Sequence, residues 1–187
     1  ARLAVHVAKE AANRTGAKFL GILKSSYELP EIDTGEHQSL EQVLEELRTA
    51  LRDAKSLELR KVVLVNGHGG NGILRKWIKE LEAELGISLA FNNTIINLEG
   101  PHAGTGELSM AAAIGIADEK KLAEHADFGR HPEVAFIGML EARKKYRWAE
   151  QQAQEVEKLG VRIDRYLGEK LLECAIMDVT NEVREIS

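Results

Sequence analysis

Cysteine is almost missing from this 187-residue chain, and the single one, Cys174, excludes an intramolecular disulfide. It falls in an apolar, helix-like run, where a buried thiol is expected rather than a reactive one. This usage matches a cytoplasmic protein, and no secretory signal pattern opens the sequence. No apolar run approaches the roughly 20 residues that cross a bilayer, so no membrane partner is expected. An excess of positive charge is lacking too. Thirty acidic against 25 basic residues leave a net charge of -5, no footing for general nucleic-acid binding. The basic run Arg143-Lys144-Lys145, continued by Tyr146-Arg147-Trp148, reads as a solvated helix face, with a local anion site as the alternative. There is no initiator methionine, internal repeat or low-complexity tract. What is present is 44% hydrophobic residues, enough for one folded domain over 1–187.

Leu3, Val7, Ala8 and Ala11 recur at helical spacing, so residues 2–15 predict an amphipathic helix closed by Gly16. Ala17 to Leu23 reads as a short buried strand, and residues 24–38, with Pro30 and Gly35, as a long and therefore functional loop. Ser39-Leu40-Glu41-Gln42 is a capping box that starts a helix to about residue 57. Lys61-Val62-Val63-Leu64-Val65 is the clearest strand, and a further helix follows residue 71 and ends at Gly86. Residues 87–96 predict another strand, with Asn92-Asn93 able to bend or interrupt it. Helices are expected over 105–116, 118–125, 148–158 and 163–185; Phe136-Ile137-Gly138 is a short strand or a turn. Strand alternating with helix predicts a three-layer α/β sandwich, a mostly parallel sheet with helices on both faces. Such a domain normally sets a strand before its first helix, so an N-terminal piece carrying that strand is expected to precede residue 1.

Two glycine-rich segments carry histidine, and each follows an apolar strand. Open α/β sheets bind ligands at the carboxyl ends of their strands. In Asn66-Gly67-His68-Gly69-Gly70-Asn71, the glycines permit a sharp turn that brings backbone N–H groups close to a ligand. Gly69, Gly70 and Asn71 are therefore candidate substrate-binding residues, and His68 a candidate metal ligand. The lysine followed by Ser or Thr of a phosphate loop is absent, as is a Gly-x-Gly-x-x-Gly dinucleotide pattern. In Gly100-Pro101-His102-Ala103-Gly104-Thr105-Gly106-Glu107, Thr105 suits a helix cap and Glu107 the first helical turn. Imidazole and carboxylate ligands plus a proton-transfer group are what metal-assisted hydrolysis requires. His68 and Glu107 can ligate, leaving His102 for the proton. Two ligands do not hold a catalytic metal firmly, and further candidates are Glu28, Asp33, Glu36 and His37 on the 24–38 loop. His37 either lines the substrate pocket or serves as an outer ligand.

The loop at 66–71, followed by His102-Ala103-Gly104-Thr105-Gly106-Glu107-Leu108-Ser109, resembles the creatininase family of amide hydrolases. The resemblance implies that His68 binds one metal of a binuclear centre, that Glu107 stands at the other, and that His102 does acid/base work. Fe(II) is the implied metal, with Zn(II) as a second candidate. The chain is similar throughout to the deformylase branch of that family, through Thr15-Gly16-Ala17-Lys18-Phe19-Leu20-Gly21, Gly35-Glu36-His37, Pro132-Glu133, Gly138 and Glu141-Ala142-Arg143. That branch implies removal of formate from a phosphorylated formylaminopyrimidine ribonucleotide, on the route to riboflavin and coenzyme F420. It also implies a homodimer or larger homo-oligomer, and a further Glu, His and bridging Asp on a segment before the first helix. Lys24, Arg130 and Arg143 are candidate phosphate anchors. The alternatives are a creatininase-type hydrolase of another amide, creatinine-like or peptide-like, and a binding or assembly protein with an incomplete metal site.

Overall fold

The structure is a computed structural model, and it describes residues 1–186. Helix α1 (Arg2–Thr15) buries Leu3, Ala4, Val7 and Ala11 and stops where Gly16 turns left-handed at φ 75°. Helix α2 (Leu40–Ser56) starts on the expected capping box. The Ser39 hydroxyl accepts from Gln42 N at 3.2 Å, and the Gln42 side chain accepts from Ser39 N at 3.0 Å. Strand β1 (Lys61–Val65) leads into a 3-10 helix, Gly69–Trp77, and then α3 (Ile78–Leu85), which Gly86 closes. Strand β2 (Ser88–Asn92) pairs with β1 in parallel, Lys61 opposite Ser88 and Val65 opposite Asn92. Next come α4 (Thr94–Glu99), α5 (Thr105–Ala113), α6 (Leu122–His125), α7 (Leu140–Lys145), α8 (Arg147–Leu159) and α9 (Arg165–Ile186).

The three-layer sandwich expected from the sequence is not what forms. Helix takes 61% of the chain and strand 5%, and the only sheet among the described residues has two strands. Two segments account for the difference. Residues 17–23 are apolar enough for a strand but enter no ladder, and Leu20 and Ile22 are exposed while Leu23 packs against the core. The N–H groups that follow, on Lys24 and Ser25, go to the Glu46 carboxylate instead of a neighbouring strand. An apolar run supplies burial, whereas a strand also needs a partner for its backbone. The 87–96 strand stops early because the Asn92 side chain takes the N–H of Thr94 at 3.2 Å and the chain turns into α4. Phe136-Ile137-Gly138 forms no strand; a 3-10 turn covers Val134–Phe136. Cys174 is exposed, because α9 buries Leu172, Ala175, Ile176 and Val179 on a different side.

The backbone divides into two compact units. The first comprises 1–28, 37–96 and 174–187, the second 29–36 and 97–173. In the first, Leu47, Leu51 and Ala54 of α2 pack with Ile78, Leu81 and Leu85 of α3 and with Val62 and Leu89 of the sheet. Burying each of these leucine, isoleucine and valine side chains contributes about 1.5–3 kcal/mol. Helix α1 lies on β1, and its Ala4 methyl sits where a side chain at Gly67 would stand, 2.7 Å from that position. The second unit gathers Ile32, Phe136, Ala142 and Ala149 into a smaller core. Within it the first turns of α9 approach α5 so closely at Gly168 that an added Cβ would meet the Ser109 carbonyl oxygen at 2.0 Å. No helix among the described residues is long and apolar enough to cross a membrane.

Candidate functional site

In the first unit the turn after β1 is organised by Asn66, which is buried. Its Nδ2 donates to the His68 carbonyl at 2.9 Å and to Asn93 Oδ1 at 2.7 Å, while its Oδ1 accepts from His68 N at 3.2 Å. His68 itself is extended, at φ -148° and ψ 126°, so its side chain leaves the turn before the 3-10 helix begins. The loop spanning 24–28 folds over this turn. Tyr27 N donates to Asn71 Oδ1 at 2.8 Å, and a Cβ at Gly70 would stand 2.1 Å from the Tyr27 oxygen and 2.9 Å from Glu28 Cα. Glycine at position 70 is therefore what lets the Tyr27-Glu28 backbone lie against the turn.

That docking delivers Glu28 to His68, with Oε2 at 3.2 Å from Nε2. The same Nε2 lies 3.0 Å from the Tyr27 carbonyl oxygen. His37 arrives from the other arm of the loop. Gln38 and Ser26 clip the two arms together, Ser26 N donating to Gln38 Oε1 and Gln38 N to Ser26 O, each at 2.8 Å. The His37 ring then stacks on His68 with centroids 4.9 Å apart, while its Nδ1 contacts the Ser26 hydroxyl at 3.1 Å. One ligand atom each from Glu28, His37 and His68 falls within 4.8 Å of the others. Two imidazole nitrogens and a carboxylate oxygen form the donor set that Zn and Fe share, so the residues present fit a divalent ion. Ser26 supplies the outer contact that orients a ligating ring.

The second unit holds His102 and Glu107, which the structure brings together. His102 Nδ1 is 3.7 Å from Glu107 Oε2, and the same oxygen accepts from Ala103 N at 2.7 Å. The cap expected of Thr105 does not form: α5 has no side-chain cap at Gly104, and the Thr105 hydroxyl accepts from Arg162 N instead. Glu107 takes a backbone N–H just before the helix start, where its charge also suits the dipole. Gly106 sits over the Glu99 backbone, an added Cβ meeting its carbonyl oxygen at 2.2 Å. Burial, with the Glu107 carboxylate adding to it, pushes the Glu99 carboxyl up to about 8. Burial and the neighbouring Glu107 charge thus both favour the neutral form of Glu99.

The chain is 43% identical over 188 residues to the 2-amino-5-formylamino-6-ribosylaminopyrimidin-4(3H)-one 5'-monophosphate deformylase of Methanothermobacter thermautotrophicus, covering 100% of this chain and 80% of that protein. It belongs to this deformylase family. The enzyme of the same name from Methanobrevibacter smithii is 39% identical over 187 residues, and that of Methanococcus maripaludis 31% over 186; the chain covers 81% of each. These deformylases are creatininase-family members, as the two histidine loops implied. No family model matches the chain, and no solved structure matches it significantly.

For a member of the deformylase family, the polar groups the sequence did not single out matter as much as those it did. Glu28 was one of four loop carboxylate or histidine candidates, and only the fold pairs it with His37 and His68. Gln152 and His125 bond the His102 loop from α8 and α6, at 2.9 Å and 2.8 Å, with no motif to announce them. Among the candidate phosphate anchors, Arg143 is engaged by Glu150 at 2.7 Å and Glu157 at 2.8 Å, and Arg130 pairs with Asp127 at 3.5 Å. Lys144 and Lys145 of the basic run are likewise paired, with Glu141 and Glu31.

Proposed function

We propose that this chain is a metal-dependent amide hydrolase that removes formate from 2-amino-5-formylamino-6-ribosylaminopyrimidin-4(3H)-one 5'-monophosphate, on the route to riboflavin and coenzyme F420. The observation that carries this is 43% identity across the whole chain to a deformylase of that substrate, in a chain whose fold assembles Glu28, His37 and His68 into a divalent-ion donor set. In the reaction, water adds to the formyl carbon, the C–N bond breaks, the departing ring nitrogen gains a proton to become the amine, and formate leaves. When bound, a divalent ion supplies Lewis acidity for that hydrolysis.

The chain's own residues have separable tasks. His68 and Glu28 would hold the ion, with His37 as a third ligand or as a wall of the substrate pocket. A binuclear centre of Fe(II), with Zn(II) as the second candidate metal, would take Glu107 as a further ligand. His102 passes a proton to the departing nitrogen, since an imidazole can both accept and donate a proton as a general acid and base. Gly69 faces the substrate on the first loop, while Gly70 and Asn71 shape that side by seating the Tyr27-Glu28 backbone. The protein works in the cytoplasm as a homodimer or larger homo-oligomer, which light scattering after size exclusion measures directly.

The decisive assay is anaerobic incubation of the Fe(II)-loaded protein with the formylaminopyrimidine ribonucleotide and, separately, with creatinine. Release of formate from the first and no creatine from the second is expected. Creatine production without formate would overturn the assignment in favour of a cyclic amide.

A further inference from the structure

We propose that His125 is a positioning residue for the reaction, acting through a single hydrogen bond that fixes the backbone beside His102. It rests on His102 being the proton-transfer group. The turn Pro101–Gly104 is not a comfortable one. Ala103 stands at φ 52°, in the left-handed region, where a Cβ crowds the following carbonyl oxygen. Facing it, Ala135 and Phe136 are left-handed in succession, at φ 48° and 60°. The two strained segments touch: Ala135 N donates to the His102 carbonyl at 2.8 Å, and the Phe136 ring stacks on the His102 ring at 5.4 Å. Three non-glycine residues in this conformation around one imidazole persist only where their surroundings over-determine them.

The hydrogen bonds say what does the determining. His102 N is taken by Gln152 Oε1 at 2.9 Å, the His102 carbonyl by Ala135, and Ala103 N by Glu107. The Ala103 carbonyl is met by His125 Nε2 at 2.8 Å. A carbonyl only accepts, so His125 carries its proton on Nε2 whatever the state of its other nitrogen. His125 closes the short helix α6, and its ring lies 5.8 Å from that of His131, whose Nδ1 donates to Glu133 at 3.1 Å. A side chain from a separate element thus holds the Ala103 peptide in the strained conformation that sets the direction of His102. Release of that bond lets Ala103 relax toward negative φ and turns the imidazole away from its place.

The role is distinguishable from plain structural support. Glutamine presents an N–H donor, its own Nε2, at about the reach of the histidine Nε2, and has no proton to exchange. Formate release and thermal melting are measured for the metal-loaded wild type, H125A, H125Q and H102A. H125A is expected to lower kcat by about 10- to 100-fold, the scale of a slightly misplaced reacting group, with KM unchanged. H125Q is expected to restore most of kcat. If H125A fails to fold, H125Q alone carries the test: near-wild-type kcat supports the proposal. Full kcat in H125A, or a loss in H125Q as deep as in H125A, overturns it. An active H102A would remove the role assigned to His102 and this inference with it, whereas an inactive H102A beside an unimpaired H125A overturns the inference alone.

Discussion

At the residue scale, the two central glycines of the 66–71 loop have different jobs although they are adjacent. A Cβ on Gly69 meets nothing within 4 Å, whereas one on Gly70 runs into the backbone of Tyr27 and Glu28. Backbone cannot rotate away as a side-chain tip can, so the loop must shift, at about 1–3 kcal/mol. G70A is expected to displace Glu28 from His68 and weaken divalent-ion binding by at least about tenfold, the lower end for disturbing a ligand's support. G69A is expected to bind like the wild type. Isothermal titration with Zn(II) on both variants checks this; equal affinities would mean that Glu28 does not belong to the centre. The sequence shows three glycines in that loop without ranking them, because the difference arises from a segment some 40 residues earlier in the chain.

At the element scale, a long loop becomes a part of the site because helix α2 holds its root. The Glu46 carboxylate accepts from Lys24 N and Ser25 N, both at 2.8 Å. Partial burial pushes its pKa up, but bonding from the Ser25 side chain and from these two N–H groups outweighs it and leaves the carboxyl below the ordinary glutamate range. A depressed carboxyl stabilises the fold above its unfolded pKa and loses that contribution as pH falls through the lower, folded value. Protection of the Lys24 and Ser25 amides from hydrogen exchange is therefore expected at neutral pH and to fade in acid. E46Q, whose amide oxygen replaces only one of two charged acceptors, is expected to speed that exchange about tenfold at neutral pH, the effect of one lost hydrogen bond. An unchanged exchange rate would show that α2 does not anchor the loop. The capping box of α2 was legible at once because cap chemistry is local to four residues, whereas nothing local links Glu46 to residue 24.

At the scale of the whole molecule, ion binding and folding are linked, since the three ligands come from chain segments that only the folded state assembles. Divalent ion at about 100 times its Kd adds about 2.7 kcal/mol of stability. For a chain of this length that is a rise in Tm of about 5–10 °C. The wild type is expected to show it on addition of Zn(II), and to lose it with a chelator, while H68A is expected to melt at one temperature with and without the ion. A rise in H68A equal to that of the wild type would place the ion elsewhere. The sequence by itself determined the helix ends at Gly16 and Gly86, the start at Ser39, the strand at 61–65 and the family, because each is written in neighbouring residues or in two short loops. Only the tertiary structure decided that residues 17–23 stay out of the sheet and that Glu28 and His37, of all the loop's candidates, reach His68. Ladder pairing and ligand convergence are made between segments distant along the chain, and hydrophobic pattern records which residues are buried without recording against what.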